Sequence, residues 1–252
     1  MPKKIAICAS GYLRTFKDCY QSIVENIIQD NDVDMFIHTY DKIGNSSGWR
    51  SPIDYSQDID MDFLQDIPYI KYIAVQKWND INWKFEKYRK YQPNVTNINT
   101  IGTIFYKIYM CNLLRKEYEK KHNIKYDLVI RMRLDQMFTK KINLEFPLNK
   151  ILINSYPWGD EDYINHFIGD FSQLDCGRNE TQWISDRFAV GTPENIDYLS
   201  ELYLNFEHLI ENERWVELEF LLHKHLQEKN IEYEKRFLAF YVKHEPPRLI
   251  KP

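Results

Sequence analysis

Residues 126–135 read YDLVIRMRLD. Leu128, Val129 and Ile130 form a continuous apolar run, the pattern of a strand covered on both faces. The run closes on Arg131, Arg133 and Asp135. Alternate residues of a strand share a face, so these three charges are expected to point the same way. Charges at the end of a buried strand need partners, from an internal salt-bridge network or from a ligand. The planar fork of arginine suits phosphate oxygens. Asp135 would then hold a divalent cation, Mn²⁺ or Mg²⁺, that neutralises a diphosphate.

Similar elements lie on either side. KIAICAS (4–10) reads as a buried strand ended by Gly11, and VDMFIHTYD (33–41) as a second with a polar end. TFKDCYQSIVENIIQ between them reads as a helix, with Thr15 as its N-cap. Residues 43–52 read as a loop and the Asp-rich segment 53–68 as irregular, with Asp58, Asp60 and Asp62 solvated. Residues 69–78 form a third strand, nearer an edge. Ile101, Ile104, Phe105, Ile108 and Cys111 mark one stripe of a long helix over 98–121. Further strands are expected at 150–157, 186–192 and 233–243, and helices at 193–211 and 213–229. No linker divides the chain, so residues 1–252 read as a single domain. The alternation predicts an α/β fold, a mainly parallel sheet with helices on both faces.

Composition narrows the partners. The 252 residues are 44% hydrophobic, enough for a sizeable core, and carry a net charge of −4. That balance excludes a general attraction to nucleic acid or to an anionic membrane. No stretch reaches the roughly 20 apolar residues of a membrane span, and the N-terminus lacks a signal-peptide pattern. Cys8, Cys19, Cys111 and Cys176 are scattered without metal-ligand spacing and read as free thiols. The Asn45, Asn94 and Asn179 triplets read as chance glycosylation matches.

Ligands of parallel sheets bind beyond the carboxyl ends of the strands. Here those ends read SGYLR (10–14), HTYD (38–41), RMRLD (131–135) and the region of DRF (186–188). Gly11 permits a tight turn, the next helix start offers N–H groups to an anion, and Arg14 adds charge. Neither G-x-G-x-x-G nor G-x-x-x-x-G-K-[ST] is present. Asp186, ahead of a short strand, is a candidate for binding acceptor hydroxyls or for general base, or a turn residue paired with Arg187. Glu219 falls at the edge of the apolar side of WVELEFLLHKHL, formed by Trp215, Leu218, Leu222 and Leu226, and is the second candidate base. Asp160 and Asp162 are a reserve metal pair, and His223 and His225 read as surface or packing residues.

ICASGYLRTF, DMFIHTYD, YDLVIRMRLD and SDRFAVGTPENIDYL occur in that order. The ordered set resembles small GT-A-type nucleotide-sugar glycosyltransferases of bacterial surface-polysaccharide loci and large DNA viruses. The resemblance implies a Rossmann-like GT-A domain, a nucleoside-diphosphate sugar donor, a glycan or other hydroxyl acceptor, and Mn²⁺ or Mg²⁺. It implies that Ser10, Gly11, Tyr12 and Arg14, with Thr39 and Tyr40, contact the nucleotide, Tyr40 stacking on the base. It sets Asp135 at the last acid of a D-x-D motif whose first acid is here Arg133. The helices at 193–229 would complete the acceptor side, with a cytoplasmic setting (the host cytoplasm for a viral chain). A sugar-phosphate nucleotidyltransferase and a non-catalytic nucleotide- or glycan-binding module are the alternatives.

Overall fold

The computed structural model describes residues 3–44, 53–77, 85–91, 98–154, 184–236 and 240–242. The apolar run at the N-terminus forms β1 (Lys4–Ser10), buried on both faces. It lies between β2 (Asp32–Tyr40) and β4 (Leu128–Met132), parallel to both. β3 (Ile70–Gln76) adds in parallel outside β2, at the edge as the sequence suggested. Beyond β4 come β7 (Phe188–Gly191), β6 (Lys150–Asn154) and β8 (Glu232–Arg236). The seven-stranded order is β3-β2-β1-β4-β7-β6-β8, and β7 alone runs against the rest. The fold is therefore α/β with a mostly parallel, mixed sheet. β5 (Gln136–Phe138) pairs antiparallel with β9 (Phe240–Val242) in a separate ribbon.

Strand alternation divides the core in two. Ile5, Ile7, Ala9, Met35, Ile37, Ile130 and Met132 pack with α1 (Phe16–Ile23) and α2 (Met61–Gln65) through Phe16, Ile23 and Leu64. Ala6, Cys8, Phe36 and Val129 face α3 (Ile98–His122), α4 (Pro193–Ser200), α5 (Leu202–Glu213) and α6 (Leu218–Glu228). Helices thus cover both faces, which is why the central strands lack an exposed polar side. The long-helix stripe is confirmed, with Ile101, Phe105, Ile108 and Cys111 all buried. Among the described residues no helix is long and apolar enough to cross a membrane.

Several boundaries differ from the sequence reading. β4 stops at Met132, so Arg133 and Asp135 belong to the turn before β5 rather than to the strand. After Ile23 the first helix widens into a π-helical turn over Val24–Ile28. From there the Asn26 amide donates to Ser22 O and to Phe138 O, tying the widened turn to β5. Thr15 makes no side-chain cap. The Asp-rich segment holds α2, because Asp60 caps it by accepting from Phe63 N at 3.0 Å. The expected helix at 193–211 is two helices parted at Glu201. Thr192 caps the first, with Pro193 opening it. Trp215 precedes α6 rather than lying on it, and Glu217 is its extended N-cap. His225 and His223 are buried packing residues, His225 stacked on Tyr198 at 4.2 Å. Cys176, Asn45, Asn94, Asn179, Asp160 and Asp162 lie outside the described residues, as do 45–52 of the expected loop and 155–157 of the expected strand.

Candidate functional site

The carboxyl ends of β1, β2 and β4 share one edge of the sheet. Gly11, at φ +126°, turns the chain off β1 while its N–H still donates to His38 O at 3.1 Å. Three residues later Arg14 adopts φ +43°, a conformation that strains a residue with a Cβ. Arg14 is held there by its own bonds. Its N–H donates to Ile43 O, its Nε to Gly44 O, and its Nη1 to Asp135 Oδ2 at 2.9 Å. Three of the first helical N–H groups are already used: Phe16 N donates to Leu13 O, and Asp18 and Cys19 N to Thr15 O.

Asp135 is the centre of this edge and is 1% exposed. Arg133 folds back across the turn and grips it with both arms, Nε to Oδ1 at 2.8 Å and Nη2 to Oδ2 at 2.6 Å. With Arg14, both carboxylate oxygens are used. Burial alone would raise this carboxyl, but Arg133 and then Arg14 outweigh it and hold it at about 2. Arg131 does lie beside them, on the face under α3, but at 3% exposure it is out of a ligand's reach. Its Nη2 comes only to 4.0 Å from Asp186 Oδ2, and its Nε and Nη1 have no hydrogen-bond partner. It lines a cavity with Ser185, Asp186, Ser200 and Leu222. Burial lowers the Arg131 guanidinium to about 10, still charged at neutral pH.

The reversal of β7 brings the acids here. Met132 pairs with Phe188 in antiparallel register, so Ser185–Arg187, ahead of β7, lie at the carboxyl end of β4. Arg187 is within electrostatic reach of Arg133, Asp186, Asp135 and Glu219. Glu219, in the first turn of α6, approaches the same group. Burial, and next Asp186, push its carboxyl well above the usual carboxylate range. Arg14, Arg131, Arg133 and Arg187 thus face Asp135 and Asp186, with Glu219 shifted toward its neutral form. The cluster carries an excess of positive charge, suited to an anionic ligand.

A divalent cation on Asp135 would displace guanidinium bonds and sit against Arg14 and Arg133, and the position two residues before Asp135 is Arg133 instead of an acid. Among the described residues no group of three His, Cys, Asp or Glu could hold a metal ion. These residues do not fit Mn²⁺ or Mg²⁺.

Two expected nucleotide contacts are closed off. Tyr40 is 2% exposed, its ring stacked on Tyr12 at 4.4 Å with Lys107 Nζ 3.2 Å from its centre, so no face is left for a base. Thr39 is wholly buried with its hydroxyl unpartnered. Ser10 is buried as well, while Tyr12 is half-buried at the site's edge.

Sequence reasoning missed Lys107. It lies in the apolar stripe of α3 between Ile104 and Cys111, a placement that signals a buried amine. It also missed Arg115, which bonds Asn112, Glu119 and Asp197 and so ties α3 to α4.

A family model described as a domain of unknown function (DUF7796) matches residues 1–156. The chain belongs to this family. The matched part contains Arg14, Arg131, Arg133 and Asp135, whereas Asp186 and Glu219 lie beyond it. No curated protein matches the chain.

Proposed function

We propose that this DUF7796 protein is a glycosyltransferase on a GT-A-like fold, moving a sugar from a nucleoside-diphosphate sugar to a hydroxyl of a glycan. The observation that carries the reading is Asp135 fixed between Arg14 and Arg133, beyond the carboxyl ends of parallel strands. Glycosyl transfer releases a diphosphate, and negative charge builds on it as the sugar bond breaks. Preorganised cations aimed at that charge lower the barrier without reorganising during the reaction. Arg14 and Arg133, with side chains 18% and 25% exposed, can reach a ligand. Arg131 adds its charge from beneath.

Asp186 and Glu219 supply the acceptor side. Burial, and next the charge of Asp186, push the Glu219 carboxyl up. Asp186 or Glu219, as an ionised carboxylate, would take the acceptor's hydroxyl proton in an inverting transfer. In a retaining transfer the pair orients the two sugars. The buried cysteines Cys8, Cys19 and Cys111, none in a disulfide, accord with a cytoplasmic setting.

Incubation with a panel of sugar nucleotides tests the reading. One member is expected to release nucleoside diphosphate slowly, and faster with the right acceptor. A nucleotidyltransferase would instead release pyrophosphate from a nucleoside triphosphate and a sugar phosphate. A non-catalytic module would bind without turnover.

A further inference from the structure

We infer that the donor diphosphate is held without a divalent cation, by Arg14 and Arg133, with Asp135 as the buried counter-ion that positions them. This rests on the donor-site reading proposed above and specifies how that site works.

Mg²⁺ binds carboxylate oxygens at roughly 2.0–2.1 Å and demands near-ideal octahedral geometry. Three guanidinium N–H groups already bond the two Asp135 oxygens, so a dication there would sit against the Arg14 and Arg133 charges. Freeing one would leave Arg14 or Arg133 facing a dication. The arginines are also built for the task themselves. Arg14 keeps its positive φ because Ile43, Gly44 and Asp135 all hold it, so its guanidinium is fixed before any ligand arrives. Arg133 is fixed by its two-armed grip. Each guanidinium has five N–H donors, and these bonds use two on Arg14 and two on Arg133. The remaining donors, on partly exposed side chains, are available to phosphate oxygens. Arg131, buried nearby with its Nε and Nη1 unpartnered, adds to the positive charge of the cluster.

The full chain is titrated with UDP, GDP, ADP, CDP and dTDP in EDTA, then with Mn²⁺ or Mg²⁺, by calorimetry and thermal shift. At least one nucleoside diphosphate is expected to bind in EDTA, with affinity changing less than about twofold on adding metal. Arg14→Gln and Arg133→Gln are each expected to weaken binding about tenfold or more, and Arg133→Lys less than Arg133→Gln. The wild-type comparison stands even where a variant fails to fold. Binding that needs Mn²⁺ or Mg²⁺ overturns the inference and leaves the donor-site reading intact. No binding in either condition overturns both.

Discussion

The Lys107 amine lies 3.4 Å from His38 Nδ1 beneath the ends of β1 and β2, at 2% exposure, with the Asp41 charge only partly offsetting its burial. Burial lowers the amine to about 7, and burial with Lys107 beside it lowers His38 to about 3. A lysine with a depressed folded pKa costs stability at neutral and lower pH, and the cost fades as pH rises toward its unfolded value. Lys107→Met keeps volume and removes the charge. It is expected to raise the melting temperature at pH 6.5, with the gain shrinking steadily toward pH 10. A variant melting below wild type at pH 6.5 would show that the charge is compensated.

Asp135 carries the opposite linkage. Its carboxyl sits at about 2 when folded, below the usual 3.8 of a free aspartate, so the arginines stabilise the fold above the unfolded value. That difference corresponds to roughly 2 kcal/mol, lost as pH falls through 4 toward 2. Asp135→Asn is expected to destabilise at pH 7 by about 3–5 kcal/mol, because it leaves buried guanidinium charge uncompensated. Denaturant melts at pH 7 and pH 3 check both, with the variant's deficit smaller at pH 3.

Glu219 has a raised folded pKa, so its burial costs stability above the unfolded value, and the cost grows until pH reaches the folded value, where it levels off. Glu219→Gln is therefore expected to match wild type near pH 4 and to exceed it near pH 9. If turnover is found, the same variant is expected to alter the pH profile as well as the rate. An unchanged profile would remove Glu219 from the proton transfer.

Arg115 tests the packing of the sheet's second layer. It is 1% exposed and bonds Asn112, Glu119 and Asp197 across α3 and α4. Arg115→Leu is expected to cost toward the low end of about 3–5 kcal/mol, since Asp197 keeps Asn112 and Lys116 as partners. Urea denaturation measures it, and nucleotide affinity should hold at temperatures where the variant stays folded.

A methyl at Gly44 would overlap the Tyr12 ring, and the residue's φ of +69° disfavours any side chain. Gly44→Ala is expected to shift Tyr12 from its stack on Tyr40 and to cost about 1–3 kcal/mol. Near-UV circular dichroism reads the ring environment and a thermal melt reads the stability.

The central strands were legible because burial on both faces leaves a continuous apolar signal, as in Ile5–Ala9 and Leu128–Ile130. The direction of β7 was not, because four residues carry no mark of which way they pair. β5 and α2 were too short to show a period. Arg133 and Asp135 were found as a pair for the wrong reason. Alternation assigned them to one face of a strand, whereas a turn lets the arginine reach back to the acid two residues on. Tyr40 was chosen by residue type, and type does not reveal that Tyr12 and Lys107 already cover its ring.

The reversed strand makes the charged edge a composite of two stretches of chain. The matched family region closes before β7 begins. It carries Arg14, Arg133 and Asp135, while Asp186, Arg187 and Glu219 come from the tract beyond it. Under the proposed function, change in that tract would alter what receives the sugar and leave the diphosphate grip in place.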